Sequence, residues 1–182
     1  MKNKTAQKKP FITRYVANKR TSIILKSLKK LDKKRIKILD VGCGNRFITN
    51  TIKNAGYNII GIDKFTSKET KWINEDPDFV MDARNMTFDD NSFDVVLALE
   101  VIEHCNCIDE IKRVLKPKGL FFCSTPSPTT DWIRKILIAL RLLENQDFAD
   151  HDNLIDLRKI RMNLLEYRKM FLRTSQFGIF KK

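Results

Sequence analysis

The sequence predicts an α/β fold in which a doubly wound, mostly parallel sheet is flanked by helices. Short apolar runs that suit buried strands alternate with segments of helical periodicity along most of the chain. The first two apolar runs are joined by a glycine-rich turn and a helix, and the whole unit occupies residues 36–63. Because strands joined through such a crossover helix run parallel, this unit predicts a parallel sheet.

The individual elements follow from hydrophobic spacing and from the glycines and prolines that interrupt it. In chain order, helices are expected over residues 14–31, 47–55, 108–115, 131–143 and 154–167. Strands are expected over residues 36–41, 57–62, 79–81, 93–99 and 120–124, with a last extended segment over residues 171–180. Residues 93–99 and 120–124 are nearly continuous apolar runs, which is typical of strands covered on both faces.

Length and composition favour a single folded domain inside the cell. The chain has 182 residues, of which 42% are hydrophobic and 31% charged, so it can bury a core and is not disordered throughout. No apolar run approaches the roughly 18 residues that span a bilayer, and the polar start predicts no secretory signal. The four cysteines form no C-x-x-C pair, so we expect reduced thiols and a cytoplasmic protein, with peripheral membrane attachment as an option.

The net charge of +13 is concentrated at one end of the chain. Residues 1–37 hold 14 Lys and Arg against one acid, Asp32, whereas the other residues hold 21 basic and 21 acidic side chains. We therefore expect a basic N-terminal tail and helix over residues 1–35, followed by one domain over residues 36–182. The basic segment could bind the phosphates of RNA, of an anionic membrane or of a substrate, or it could simply be a solvated helix face with a solubilising tail.

A glycine turn and an acidic residue predict a nucleoside site. Gly42 and Gly44 follow the first strand, where glycine lets the backbone approach a ligand closely. Asp63 ends the second strand, where a carboxylate can accept hydrogen bonds from ribose hydroxyls. Dehydrogenases and methyltransferases share this layout. The dinucleotide fingerprint needs a third glycine, but Phe47 stands there, which argues against a nicotinamide oxidoreductase.

Five ordered motifs over about residues 36–126 resemble the class I S-adenosylmethionine-dependent methyltransferases. The matching segments are Ile-Leu-Asp-Val-Gly-Cys-Gly (38–44), Gly-Ile-Asp (61–63), Met-Asp-Ala (81–83) with Asn-Ser-Phe-Asp-Val-Val (91–96), Glu-Val-Ile-Glu-His (100–104) and Leu-Lys-Pro-Lys-Gly-Leu (115–120). The nearest likeness is to the type 11 group, which includes ubiquinone-pathway O-methyltransferases and small enzymes of glycan and lipid metabolism. The resemblance implies a Rossmann-like sheet of seven strands. Since only one extended segment remains before residue 182, we expect the seventh strand to be missing or short, with its edge covered by lysines or by a partner subunit in a homodimer.

The resemblance also implies a role for each matching residue. Asp40 would hold the methionine amino group, Asp63 the ribose, Asp82 with the Ala83 backbone the adenine, and Glu100 would close the methionine side. The backbone of Gly42, Cys43 and Gly44 would line the methionine end. Arg46 departs from the pattern, because the family has a further glycine there; its side chain is expected to point to solvent, to crowd the cofactor carboxylate or to pair with it.

Two histidines are candidates for the general base, since the unperturbed pKa of histidine lies near neutrality. His104 ends the Glu-Val-Ile-Glu-His motif, and His151 precedes the predicted helix over residues 154–167. In the ubiquinone-type enzymes a similar run is associated with a divalent metal, which would place Glu100, Glu103 and His104 as ligands. The ordinary alternative is that both histidines are structural or surface residues.

The acceptor is the part of the function that the motifs leave open. Residues 127–153 contain a strongly apolar helix, which could be a lid over an acceptor pocket, an interfacial helix that reaches lipid, or a core-packed helix. We expect a methyltransferase that acts on a small-molecule, lipid-linked or glycan acceptor, at oxygen, by in-line displacement. The alternatives are an RNA or protein methyltransferase that uses the basic N-terminus, and a catalytically silent, methyltransferase-like scaffold subunit.

Overall fold

A computed structural model describes residues 11–70, 75–142 and 154–182. The helices are α1 (Phe11–Leu28), α2 (Phe47–Asn54), α3 (Ile108–Val114) and α4 (Asp131–Ala139), and a 3-10 turn covers Leu157–Lys159. The strands are β1 (Lys37–Val41), β2 (Asn58–Asp63), β3 (Phe79–Val80), β4 (Phe93–Leu99), β5 (Leu115–Pro126), β6 (Asn163–Met170) and β7 (Ser175–Lys181). None of the helices in these ranges is long and apolar enough to cross a membrane.

The described strands form one seven-stranded sheet in the order β3-β2-β1-β4-β5-β7-β6. The first five strands in that order pair in parallel, and β7 is antiparallel to both of its neighbours. The chain therefore winds outward in both directions from β1, as the alternation of apolar runs and helices predicted. The carboxyl ends of β1, β2, β4 and β5 lie along one edge, where Val41 pairs with Ile62 and Ala98.

The core lies in two layers because successive side chains of a strand point to opposite faces of the sheet. On one face, Leu39, Val96 and Phe121 pack with α3. On the other face, Ile38, Val95 and Phe122 pack in a cluster that also contains side chains of α1 and α2. The prediction that β4 and β5 are covered on both faces is thus confirmed.

The end of the chain differs from the expectation in two ways. The seventh strand is present with seven residues, and it forms an antiparallel hairpin with β6 in which Tyr167 pairs with Gly178. The helix expected over residues 154–167 is wrong: that region holds only the 3-10 turn before β6 begins at Asn163. Apolar residues at three- and four-residue spacing suggested a helix there, but pairing with β7 overrides that local preference. The strand at the sheet edge is consequently β6, not the last segment.

Candidate active site

The glycine turn after β1 lies against the ends of β2 and β4. Gly42 and Gly44 have φ of 67° and 52°, in the left-handed region that favours glycine. A Cβ atom on Gly42 would stand 2.4 Å from Cγ2 of Val101, which leaves no room for a side chain. The backbone N–H of Cys43 donates to the carbonyl of Ile62 over 2.9 Å, so the turn is tied to β2.

Asp63 connects this turn to the end of β2. Its Oδ2 accepts a hydrogen bond from the backbone N–H of Gly44 at 2.9 Å, and its Oδ1 accepts one from Phe65 N–H at 3.1 Å. The residue is buried at the edge of the sheet. The structure thus brings together the glycine turn and the acid that the sequence singled out.

Asp40, the last but one residue of β1, is a buried carboxylate directly beneath the turn. The hydroxyl of Thr49 in α2 donates to its Oδ2 over 2.6 Å. Burial raises the pKa of Asp40 to about 7, although the hydrogen bond from Thr49 works in the opposite direction. Near neutral pH the group can therefore exist with or without its proton, and a cation beside it would favour the ionised form.

Glu100 follows β4 with φ of 60°, and its side chain meets an arginine from the N-terminal helix. Nη2 of Arg20 donates to Oε1 of Glu100 at 2.5 Å and to Oγ of Ser175 at 2.6 Å. The hydroxyl of Ser124 in β5 donates to the same Glu100 oxygen over 3.0 Å. The site edge is thus formed by α1, β4, β5 and β7 together.

Sequence reasoning missed Arg20, although a signal for it exists. Arg20 lies four residues from both Val16 and Ile24, so it belongs to the buried stripe of α1. An arginine on such a stripe needs an acidic partner because an unpaired buried charge is costly. The motifs had already placed Glu100 at this edge.

Asp82 and Ala83 lie in the turn after β3. The guanidinium of Arg84 pairs with the Asp82 carboxylate, with Nη2 to Oδ2 at 2.7 Å and Nε to Oδ1 at 3.0 Å. This contact lowers the pKa of Asp82 to about 2, so the carboxylate is ionised at neutral pH. Ala83 is half-buried against the core on the α3 side of the sheet.

Known proteins share both the motifs and the fold. A family model described as a methyltransferase domain matches residues 39–123, which contain the glycine turn, Asp63 and Glu100. Residues 39–123 thus match a methyltransferase domain of the kind that the motifs indicated, the class I S-adenosylmethionine-dependent type. It is 31% identical to a ubiquinone biosynthesis O-methyltransferase of Pelagibacter ubique over 65% of this chain and 54% of that protein. It is 34% identical to a probable phthiotriol/phenolphthiotriol dimycocerosates methyltransferase of Mycobacterium ulcerans over 52% of this chain and 41% of that protein. The chain thus spans about half the length of the curated relatives that it matches.

Solved structures agree on the fold. A Pyrococcus horikoshii protein superposes with a TM-score of 0.63 at 21% identity, covering 94% of this chain and 93% of that one. An S-adenosylmethionine-dependent methyltransferase of Methanosarcina mazei superposes with a TM-score of 0.60 at 18% identity, covering 87% of this chain and 96% of that one. These two superpositions cover most of the chain, so the likeness in fold extends beyond the motif region.

Arg46 stands where this methyltransferase family has a further glycine, and the backbone explains that preference. Its φ is 58°, in the left-handed region. The side chain is 3% exposed, so the expectation that it points to solvent is wrong. Its Nη2 donates to Asp78 Oδ1 at 2.8 Å, and its Nε lies 3.3 Å from Glu75 Oε1. The guanidinium is therefore engaged with the segment that leads into β3, rather than held for a cofactor carboxylate.

Glu103 and His104 lie in the turn after β4 but differ in environment. Glu103 is 1% exposed, and neither of its carboxylate oxygens has a hydrogen-bond partner among the described residues. Burial, reinforced by the charge of Glu100, raises the pKa of Glu103 well above its usual range. His104 is exposed, and its backbone N–H donates to the carbonyl of Val101.

The three residues considered as metal ligands do not form a metal cluster. Within residues 11–70, 75–142 and 154–182, no group of three His, Cys, Asp or Glu side chains is arranged to hold an ion. Glu100 is paired with Arg20. The side chain of Glu103 is buried, whereas His104 is exposed. The second base candidate, His151, lies outside the described residues.

Proposed function

We propose that this protein transfers a methyl group from S-adenosylmethionine to an oxygen atom of a small-molecule, lipid-linked or glycan acceptor. The observation that carries the proposal is the hydrogen bond between Gly44 N–H and Asp63, which joins a left-handed glycine turn to a carboxylate at one sheet edge. Two curated relatives are named as a ubiquinone biosynthesis O-methyltransferase and a probable phthiotriol/phenolphthiotriol dimycocerosates methyltransferase. The first of these names supports oxygen as the acceptor atom here.

The residues around the turn fit the groups of the cofactor. Asp63 would accept from the ribose hydroxyls, and the backbone of Gly42, Cys43 and Gly44 would line the methionine end. Asp40 would hold the amino group, since a buried carboxylate with a pKa of about 7 becomes ionised when a cation lies beside it. Asp82 and the Ala83 backbone would receive the adenine. Because the Arg84 guanidinium is paired with the Asp82 carboxylate, adenine can bind there only if Arg84 shares that carboxylate with the adenine or moves away from it.

Glu100 would close the methionine side from the opposite wall of the site. Its Oε1 is held by Arg20 and Ser124, which fixes the side chain before any ligand arrives. Such pre-positioning lowers the ordering cost of binding. Arg20 acts here as a positioning residue, because it reaches the site through Glu100.

The chemical step needs alignment and the removal of one proton. The bound cofactor supplies an activated methyl group, so the protein mainly holds the acceptor oxygen in line with it. The methyl carbon would bond to that oxygen as its bond to the cofactor sulfur breaks, and S-adenosylhomocysteine would be the leaving group. The hydroxyl proton of the acceptor goes to a base, and His104, exposed in the turn beyond Glu100, is the described candidate. His151 is the second candidate. The proposed mechanism includes no metal step, because Glu100, Glu103 and His104 do not assemble into a site.

Calorimetric titration with S-adenosylmethionine and S-adenosylhomocysteine tests the cofactor site directly. We expect micromolar binding that falls at least about tenfold in Asp63→Asn, since one acceptor for the ribose is lost. Asp109→Asn is the matched control, because Asp109 is an exposed carboxylate in α3 and should leave binding unchanged. Loss of binding in the control, or normal binding in Asp63→Asn, contradicts the assignment. Absence of binding by the intact protein would favour the scaffold alternative.

A screen of acceptors then tests the rest of the proposal. With cofactor binding established, transfer of labelled methyl groups to quinols, lipids, glycans and RNA identifies the acceptor class. We expect product at an oxygen of one of the first three classes and a loss of about a hundredfold or more in turnover in His104→Ala. Transfer to RNA, with binding that weakens steeply as salt rises, would support the nucleic-acid alternative instead.

A further inference from the structure

Exposed apolar side chains cluster on three elements at the carboxyl edge of the sheet. They belong to the first half of α1, to α4 and to the turn between β6 and β7. The side chains, with their exposed fractions, are Phe11 (81%), Tyr15 (50%), Trp132 (63%), Ile136 (50%), Leu140 (61%) and Leu172 (59%). We refer to these six side chains as the α1–α4 face.

The three elements are in contact, so the α1–α4 face is one surface rather than scattered residues. Ile12 and Val16 of α1 are buried in a cluster with Leu137 of α4, and Phe171 packs against it. The Thr130 hydroxyl at the start of α4 donates to a backbone carbonyl in the β6–β7 turn. Each helix therefore has one apolar stripe that is buried against the other and a second apolar stripe that remains exposed. A helix that only covers a protein core needs the first stripe alone.

The β6–β7 turn presents its leucine at a cost in backbone strain. Leu172 and Arg173 have φ of 49° and 63°, and the N–H of Thr174 donates to the carbonyl of Phe171 over 2.9 Å. This is a two-residue hairpin turn of the kind that strongly prefers Asn-Gly. Side chains in the left-handed region persist only where the surrounding structure holds the backbone there. Here the pair places an exposed leucine and a cation at the tip of the hairpin.

The charge on the elements of the α1–α4 face is predominantly positive. Residues 11–31, 132–142 and 171–182 contain no Asp or Glu, and the one acid in the three elements is Asp131, the first residue of α4. Exposed cations flank the apolar side chains on all three elements, namely Arg14, Lys135, Arg141 and Arg173. Aromatic and aliphatic side chains surrounded by cations match the interface of an anionic bilayer, which offers acyl chains below and phosphates above. A nucleic acid would use the cations but would leave the exposed aliphatic side chains in water.

We propose that the α1–α4 face docks the protein onto an anionic lipid surface. The same edge carries the glycine turn, Asp63 and Glu100, and Arg20 of α1 directly contacts Glu100. Docking would therefore hold the site at the bilayer interface, where a lipid-linked acceptor could reach it without entering water. This last point rests on the proposed function, whereas docking itself does not.

Vesicle sedimentation tests the docking with the full chain. We expect the protein to bind vesicles that contain phosphatidylglycerol, and to bind pure phosphatidylcholine vesicles at least about tenfold more weakly. Trp132→Glu and Leu140→Glu should each reduce binding to the anionic vesicles about tenfold or more. Leu165→Glu is the matched control, because Leu165 is a 53% exposed leucine within β6 that does not belong to the α1–α4 face, and should leave binding unchanged. Equal binding of all three variants and the unchanged protein overturns the proposal.

A second variant separates docking from folding. Replacing Leu172 and Arg173 together by Asn and Gly gives the turn the residues that it prefers, so the Tm should rise while vesicle binding falls about tenfold. A purely structural role for the turn would leave vesicle binding unchanged. If sedimentation analysis shows instead a dimer that Trp132→Glu dissociates, and vesicles bind neither form, the face is an interface between two copies and the proposal is wrong.

The cofactor titration keeps the two proposals distinct. The docking variants should bind S-adenosylmethionine as the unchanged protein does, because none of the substituted residues lies in the cofactor site. Vesicle binding without cofactor binding would contradict the methyltransferase proposal and support the docking proposal. Cofactor binding without vesicle binding would contradict the docking proposal and support the cofactor site.

Discussion

At residue 46, an arginine occupies a left-handed backbone conformation that favours glycine, and side-chain pairing offsets the resulting strain. Arg46 accepts a conformation that costs roughly 1 kcal/mol or more for a residue with a Cβ atom. Its guanidinium compensates through Asp78, which also accepts a hydrogen bond from Gly61 N–H at 2.7 Å. The departure from the glycine pattern therefore stabilises the approach to β3.

Two substitutions at this position distinguish strain from pairing. Arg46→Gly and Arg46→Ala both remove the ion pairs, but only glycine relieves the left-handed backbone. Both should destabilise the protein, and alanine should do so by about 1 kcal/mol more than glycine in urea unfolding. Equal destabilisation by the two variants would contradict this account of Arg46.

The raised pKa of Asp40 predicts pH-dependent cofactor binding. Only the ionised carboxylate attracts the cationic amino group that we propose it holds, and burial places its pKa at about 7. The affinity for S-adenosylmethionine should therefore rise up to about tenfold per pH unit below neutrality and level off above it. Calorimetry between about pH 5.5 and about pH 8 measures this.

A substitution that moves the pKa supplies the control for Asp40. Thr49→Val removes the hydroxyl that donates to Asp40 and that lowers its pKa. The pH profile should then shift to higher pH. An affinity that does not vary with pH in the unchanged protein, or a profile that Thr49→Val leaves in place, argues against this role for Asp40.

At the scale of elements, α1 is part of the site as well as part of the basic segment. Its exposed side carries lysines, but Ile24 and Leu28 are fully buried and Arg20 reaches Glu100. The side chains of Arg20 and Glu100 are 12% and 23% exposed, so solvent screens their interaction only partly. One helix thus combines a charged surface with a contact at the sheet edge.

A double-mutant cycle measures how strongly α1 is coupled to β4. Arg20→Ala and Glu100→Ala should be non-additive in unfolding free energy by about 2 kcal/mol. The pair of Asp156 and Arg158, where the arginine side chain is 59% exposed, should give a coupling below about 1 kcal/mol. If both pairs couple equally weakly, Arg20 does not position Glu100.

At the scale of the whole molecule, the sheet separates two core layers, and each layer is built from side chains of several elements. The layer that contains Ile38 and Phe122 takes side chains from α1, α2, β6 and β7, which come from both ends of the chain. The basic segment over residues 1–35 therefore contributes to the core through α1. Whether it behaves as a unit separate from residues 36–182 is a question of energetics.

Removal of residues 1–35 answers that question. The shortened chain loses Ile24 and Leu28, and burying each side chain of this size contributes about 2–5 kcal/mol, so it should lose most of its cooperative thermal unfolding. A shortened chain with an unchanged Tm would instead support an independent domain over residues 36–182.

The amino-acid sequence by itself determined the parallel part of the sheet and the likeness of residues 39–123 to a methyltransferase domain. Buried strands such as β4 and β5 can be recognised in the sequence, because strands covered on both faces are nearly continuous apolar runs. The glycine turn and Asp63 can be recognised because they depend on residue types at short spacing. Such local features are visible without knowledge of distant contacts.

Only the tertiary structure decided the features that depend on distant partners. The segment before the last strand forms β6 because β7 pairs with it, although its spacing suggested a helix. Arg46 pairs with Asp78, which is 32 residues away in the sequence, and Arg20 pairs with Glu100, which is 80 residues away. The physical reason is the same in each case. A charged side chain or the edge of a strand needs a partner to pair with, and the position of that partner is set by the folded sheet.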